Sequence, residues 1–270
     1  MSMKTDLDTV EIYQHMSCLA QTHIGLQDIQ VFSEINSTQT YLSDMNIGSA
    51  VAGVVIAESQ TAGKGRLERS WHATAGSNVM FSCAWVYRQV PEQLPALSLA
   101  LIVVVAEYLK EKFDLPVTIK WPNDLLLEEH KLAGLLLNVE SGQECKVIAG
   151  LGLNVKQSLS NKATDLPWTD LYQQGITQVD RNKMIADIIS KWVQVFADFS
   201  QSGFADFHER WNHLAHFRGE LVCAQKQSAP EKEILTGIMQ GVDDQGLLLL
   251  NDKGKQIKIS DSSYSLRRAG

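Results

Sequence analysis

Ala57-Glu58-Ser59-Gln60-Thr61-Ala62-Gly63-Lys64-Gly65-Arg66-Leu67-Glu68-Arg69-Ser70-Trp71 is the stretch where the chain changes character. Just before it, Ser49-Ala50-Val51-Ala52-Gly53-Val54-Val55-Ile56 is apolar and rich in β-branched residues, the pattern of a buried strand. Two glycines then flank a lysine, Arg66 and Arg69 follow, and Trp71 closes the segment. Glycine lets backbone approach a ligand closely, and cations beside it suit an anion such as phosphate. A basic, glycine-bearing loop leaving a buried strand is a candidate lid or phosphate clamp, although a solvated surface loop has the same composition. Neither common phosphate motif fits. A P-loop would need glycine at Glu58 and a hydroxyl at Gly65, and the dinucleotide fingerprint starting at Gly63 meets Glu68 at its third glycine.

Outward from this loop, the chain reads as strands with a few helices between them. Residues 8–22 suggest one amphipathic helix with Val10, Tyr13 and Leu19 on one side, before a first strand at 29–34. Only about one helix fits there, so a helix-turn-helix is not expected. Ser37 or Thr38 suits the cap of a short helix through Tyr41 and Leu42, and the same short polar side chains could instead bond a small polar ligand. Strands are expected at 77–87 and 117–121, with a core helix at 95–113 between them. Pro122 ends the second of these strands, and Asn123-Asp124 suits a turn. A hairpin around Glu128-Glu129-His130 follows, then a strand at 146–155 with glycines where something can pack closely. Residues 158–175 read as irregular, and helices are expected at about 181–200 and 203–214.

From Phe217 short strands at 220–224, 233–239 and 246–250, separated by turn signals, suggest a small β-barrel. The reading is α+β, with a mostly antiparallel sheet in residues 1–216 and a small β-domain in 217–270.

Composition sets outer bounds. Lys+Arg number 24 against Asp+Glu 31, a formal net charge of -7, so no global basic footprint for nucleic acid exists. Cys18, Cys83, Cys145 and Cys223 form no C-x-x-C pair and suit free thiols in a reducing cytoplasm. The start lacks a signal-peptide pattern, and the apolar run at 97–106 is short of the ~20 residues of a membrane span.

Several segments together resemble biotin–protein ligases in order and spacing: Ser37-Thr38-Gln39, Gln60-Thr61-Ala62-Gly63-Lys64-Gly65-Arg66, Lys120-Trp121-Pro122-Asn123-Asp124, Lys131-Leu132-Ala133-Gly134 and Gly150-Leu151-Gly152-Leu153-Asn154. The resemblance covers roughly residues 30–270. It implies a fold like that of class II aminoacyl-tRNA synthetases with a C-terminal SH3-like β-barrel. It also implies a two-step reaction: biotin and ATP, with Mg²⁺, give biotinyl-5′-AMP and pyrophosphate, and a lysine of a biotin carboxyl carrier protein then takes the biotinyl group. Joining two anions calls for fixed cations, and a mixed anhydride must be kept from water.

By resemblance, Ser37, Thr38, Gln39 and Gln60 would bond the polar end of biotin, with Gln39 replacing the family's asparagine. Lys64, Gly65 and Arg66 would lie in the loop that closes over biotin and phosphate. Lys131, with Gly134 near it, would meet the reacting carboxylate and α-phosphate, and Lys131 and Arg66 would be the catalytic pair. Arg69, Trp71, Asn123 and Asp124 would serve the nucleotide or its metal, whose ligands stay unassigned. Asn154 would read the adenine edge, Trp168 would pack on the adenine ring, and Arg267 would reach back from the small domain. Turn roles for Asn123, Asp124 and Lys131, and core packing for Trp168, are the plain alternatives.

Leu67 and Glu68 depart from a family loop that commonly reads G-R-G-R-R-G-R. They weaken the positive field, which implies looser retention of the adenylate. The short N-terminus implies a monofunctional enzyme without a DNA-binding domain. The short apolar run leads to no expected membrane partner, and the resemblance allows a monomer or a homodimer paired through the main sheet. A lipoate ligase or octanoyl transferase and a non-catalytic biotin-binding regulator are the competing readings.

Overall fold

A seven-stranded sheet carries the molecule, in the order β1-β2-β3-β7-β6-β5-β4. Its strands are β1 (Ile29–Phe32), β2 (Ala52–Ala57), β3 (Asn78–Tyr87), β4 (Val117–Lys120), β5 (Asp124–Leu127), β6 (His130–Ser141) and β7 (Cys145–Asn154). β1 and β2 run parallel, and every other neighbour is antiparallel. The computed structural model describes residues 6–45, 52–71, 73–156, 167–227 and 234–269, without the side chain of Glu68. The first three residues of the strand read at 49–56, the first half of the irregular segment at 158–175 and the first residue of the strand read at 233–239 lie outside the described residues.

Among the described residues six α-helices accompany the sheet: α1 (Thr9–His15), α2 (Cys18–His23), α3 (Thr38–Asp44), α4 (Leu97–Phe113), α5 (Arg181–Ser202) and α6 (Ala205–Leu214). α4 is buried on almost every side, which is why its sequence is apolar all round rather than striped. α5 is striped, with Trp192, Phe196 and Phe199 inward, and Asp180 caps it by accepting from the Lys183 N–H.

The period of two along each strand sorts the faces. Val54, Ile56 and Cys83 belong to the main core with α4 and α5, whereas Val55, Ala84 and Ile148 pack beneath Leu42 of α3.

The single helix expected at 8–22 is two helices. Met16 is extended, and Ser17 starts a new turn by accepting from the Ala20 N–H. The inward face is also different. Ile12, Met16 and Ala20 are buried, while Val10 and Leu19 face solvent at 48% and 37% exposure. The estimate that one helix fills this segment is therefore corrected. The two short helices pack on α5, tied by Asp8 N–H to Asn182 Oδ1 and Ser17 N–H to Ser190 Oγ.

The C-terminal strands are five rather than three: β8 (Leu221–Lys226), β9 (Ile234–Val242), β10 (Leu248–Asp252), β11 (Lys255–Ile259) and β12 (Tyr264–Arg268). They form one antiparallel sheet in the order β11-β10-β9-β8-β12, which fits a small SH3-like domain. β11 and β12 escaped the sequence reading because their charged residues, such as Lys255, Arg267 and Arg268, alternate with few apolar ones.

Candidate active site

Register decides where the site forms. Ser82 pairs with Gly150 and Gly150 with Leu136, while Met80 pairs with Gly152 and Gly152 with Gly134. These residues share the face that α3 covers farther along, at Ala84 and Ile148. Beyond α3 the strands present Gly134, Gly150 and Gly152 on this face, so the sheet carries few side chains there.

Each glycine is overlain by one polar or aromatic group. A Cβ on Gly150 would stand 2.6 Å from Gln39 Nε2, and one on Gly134 would stand 3.0 Å from Lys131 Nζ. A Cβ on Gly152 would collide with the Trp71 ring. The result is a cavity of about 440 Å³, within the usual range for a small-molecule site.

The cavity wall on the α3 side is a hydrogen-bonded set. The Thr38 N–H donates to Gln60 Oε1 at 2.9 Å, and the Thr38 and Ser82 hydroxyls are 2.8 Å apart. Gln39 is 4% exposed and donates from Nε2 to the carbonyls of Leu136 (3.0 Å) and Ile148 (3.3 Å). That leaves its Oε1 a buried acceptor with no hydrogen-bond partner. Ser37 does not line the cavity. It caps α3 by accepting from the Thr40 N–H, the alternative its sequence allowed.

The glycine-bearing loop is a hairpin folded over the opening. Lys64 bridges Ser70, the Gly65 N–H donates to the Arg69 carbonyl at 2.7 Å, and the Trp71 N–H donates to the Gly63 carbonyl at 2.9 Å. Leu67 at the tip takes a left-handed φ of 54° and is exposed, while lining the cavity. The effect expected of the Glu68 side chain lies outside the described residues. Arg66 reaches across to donate to Asn123 Oδ1 at 3.2 Å. Asn123 is itself fixed, because its Nδ2 donates to the Leu135 carbonyl and its carbonyl accepts from the Leu135 N–H.

Among the described residues six cations line the cavity: Lys64, Arg66, Arg69, Lys120, Lys131 and Arg267. Asp124 is the one carboxylate among the described lining residues, and Lys131 Nζ stands 2.6 Å from it and 5.5 Å over the Trp71 ring. Burial lowers the pKa of Lys120, Asp124 opposes that, and Lys131, Arg267 and Arg69 push the same way as burial. Burial likewise lowers Arg66 against the pull of Asp124, although a guanidinium stays charged at any ordinary pH. Concentrating cations in one concavity of an acidic chain focuses a positive field on the site.

At the far end, Asn154 donates from Nδ2 to the carbonyls of Thr169 (3.0 Å) and Lys131 (3.4 Å), leaving its Oδ1 without a hydrogen-bond partner. Trp168 is half-buried, and its segment pairs with Lys131: the Lys131 N–H donates to the Pro167 carbonyl and the Thr169 N–H to the Lys131 carbonyl. β12 contributes Tyr264, Ser265 and Arg267, and Gln227 follows β8.

The structure thus brings every sequence-predicted site residue except Ser37 to one cavity. Sequence reading missed Lys120, Ser82, Gln227, Tyr264 and Ser265. Lys120 stood inside a quoted motif and could have been found as a lone cation in an apolar strand, whereas nothing in the sequence marks Ser82 or Ser265. The one group of three metal-type ligands among the described residues, Glu11, His15 and Asp180, is exposed and apart from the cavity lining.

Residues 31–154 match the biotin/lipoate A/B protein ligase family. The chain is 36% identical over 249 residues to the bifunctional ligase/repressor BirA of Escherichia coli, covering 89% of this chain and 74% of that one. The chain belongs to the biotin protein ligase family. It is also 31% identical to the biotin–[acetyl-CoA-carboxylase] ligase of Mycobacterium tuberculosis, over 87% of this chain and 88% of the relative. The structure superposes on the biotin protein ligase from Aquifex aeolicus in complex with biotin and ATP with a TM-score of 0.77. That match is 27% identical and covers 89% of this chain and 99% of the other. In this biotin protein ligase, the family match spans β3, β6 and β7, the strands that supply the glycine floor.

Proposed function

We propose that this biotin protein ligase couples biotin to ATP in the cation-lined cavity and transfers the biotinyl group to a lysine of a biotin carboxyl carrier protein. In the first step a biotin carboxylate oxygen attacks the α-phosphorus, the bond to the β-phosphate breaks, and pyrophosphate leaves. In the second, the neutral acceptor amine attacks the activated carbonyl carbon. A C–N bond forms, the C–O bond to AMP breaks, AMP departs with that electron pair, and the amine gives up its proton.

The observation that carries this reading is the cavity itself: a glycine-bearing floor, six cations and one carboxylate, with a buried unpartnered acceptor on each side. The Gln39 amide lies over Gly150, and Asn154 stands four residues farther along β7, about 13 Å at ~3.3 Å per residue. Each acceptor suits an N–H donor, the ureido group at one end and the adenine amine at the other. Thr38 and Gln60 support the biotin end. Lys131 and Arg66 offset the repulsion between carboxylate and α-phosphate, Lys64, Arg69, Lys120 and Arg267 add to the field, and Trp168 and Trp71 offer ring faces. The hairpin of residues 59–71 excludes water from the mixed anhydride.

Mg²⁺ fits as an ion that arrives with the nucleotide. Such an ion takes one or two protein carboxylates and keeps several waters, and Asp124 beside Asn123 supplies that donor. When bound, it neutralises phosphate charge. The catalytic domain of this proposal is 1–216 and the small domain 217–270. The enzyme works in the cytoplasm as a monomer or homodimer, without a nucleic-acid or membrane partner. Its four cysteines are all free, in keeping with a reducing compartment.

ATP–pyrophosphate exchange, run with biotin and with lipoate, tests the reading. Exchange is expected with biotin and not with lipoate, whose dithiolane offers no N–H to Gln39. Exchange with lipoate alone would move the chain to the lipoate branch, and exchange with neither would leave a non-catalytic binder.

A further inference from the structure

The closed loop is held on two sides. Arg66 bonds Asn123 of the main sheet, and Arg69 donates from Nη2 to Gln227 Oε1 of the small domain at 3.0 Å. Gln227 is aimed at that task. Its N–H donates to the Ser263 carbonyl (3.0 Å) and its Nε2 to the Gln225 carbonyl (3.2 Å), so the amide oxygen is turned towards the guanidinium. The reverse amide orientation would set N–H against guanidinium and oxygen against oxygen. Next to it, Lys226 pairs with Asp261 at 3.3 Å, and Ser263 N–H donates to Asp261 Oδ1 at 2.8 Å, which steadies the turn the loop faces.

Arg69 is well placed to govern the loop tip. Its carbonyl accepts from the Gly65 N–H, and its N–H donates to the Arg66 carbonyl at 3.2 Å. Fixing Arg69 therefore fixes both ends of the turn that carries Leu67, and with it the Arg66 guanidinium.

We propose that Gln227 is a positioning residue of the ligase reaction, latching the glycine-basic loop to the small domain through Arg69 so that the adenylate is retained between the two steps. Gln227 acts on the reacting atoms only through the loop. The inference rests on the function proposed above, and it gives the small domain a role in holding the intermediate.

The test is a double-mutant cycle of Gln227→Ala and Arg69→Ala, with Gln227→Glu as the conservative variant. Two rates are read: tryptic cleavage after Lys64 and Arg66 in the ligand-free protein, and dissociation of biotinyl-5′-AMP. A hydrogen bond to a charged group at an exposed site leads to an expected rise of about fivefold in both rates for Gln227→Ala. The double variant is expected to be no faster than Arg69→Ala alone. Gln227→Glu keeps an acceptor for Arg69 and is expected to hold the loop at least as well as the native residue. Unchanged rates in Gln227→Ala would overturn the latch, as would strictly additive effects. So would an equal rise in cleavage after the exposed Lys253, far along the chain, which marks general loosening. If the unaltered protein formed no adenylate, the proposed function would fail while the cleavage arm still decided the latch.

Discussion

Lys120 shows how one residue can be visible in a sequence and its setting not. It stands in the motif Lys120-Trp121-Pro122-Asn123-Asp124, yet only the fold reveals it as a 5% exposed ammonium on the cavity wall. Burial disfavours its charged form, and three nearby cations add to that, so its pKa lies below the ordinary 10.5. Below that lowered value the cavity keeps the charge, and as pH rises through it one cation is lost. The kcat/KM for ATP is therefore expected to fall on an alkaline limb that begins below the normal lysine range. Lys120→Gln should lower kcat/KM at pH 7 by roughly ten- to a hundredfold, for loss of one cation facing phosphate, and abolish that limb. A pH–rate profile of the two proteins checks this, and an identical limb in the variant would place the titration elsewhere. The motif residues were legible at this scale because their types are chemically telling. Ser82 and Ser265 were not, because a serine in a strand says nothing about which cavity the register opens beneath it.

At the scale of elements, the join between β2 and α5 carries the load of the loop. Glu58, the first residue after β2, is 5% exposed and accepts two bonds from Arg181, at 2.5 and 2.9 Å. Arg181 also donates to the Asn78 carbonyl at 3.2 Å, at the start of the strand paired with Asn154. A cation at the N-terminus of α5 opposes the helix dipole, so this arginine is held there by the buried pair rather than by helix preference. Removing Glu58 leaves Arg181 with the exposed Asp6 carboxylate, 4.0 Å away, in place of a close buried partner. Glu58→Ala is expected to cost about 3–5 kcal/mol in urea unfolding, whereas replacing both by apolar residues should cost far less. Equal losses for the single and double variants would contradict the pairing.

Elements were read well where one signal dominated: α4 by its apolar run, and β6 and β7 by their flanking turns. They were misread at α1 and α2, where the extended Met16 and the Ser17 cap interrupt a pattern that looks continuous in sequence. Val10 and Leu19 also point to the wrong face, because apolar residues at helical spacing suggest a buried side and both lie in solvent.

For the whole molecule, the four free thiols report how the core and the site are coupled. Cys18 is exposed and Cys223 partly so, while Cys83 lies inside β3 among the main core, with its thiol pushed up to about 12 by burial. Cys145, at the start of β7, is raised by burial as well. The thiolate is the reactive form, so at pH 8 Cys83 is both shielded and protonated. A disulfide reagent is therefore expected to modify Cys18 rapidly and Cys83 only at the rate at which the sheet opens. β3 also bears Ser82, on the opposite face from Cys83, and Ser82 is on the cavity floor. Ligands that bind only the folded state stabilise it by mass action, and at a hundred times their dissociation constant the gain is about 2.7 kcal/mol. Biotin alone at that excess should accordingly slow Cys83 modification by about a hundredfold while leaving Cys18 unchanged. Protection of Cys18 to the same degree would show instead that the ligand blocks the reagent directly, and would separate site occupancy from stability of the sheet.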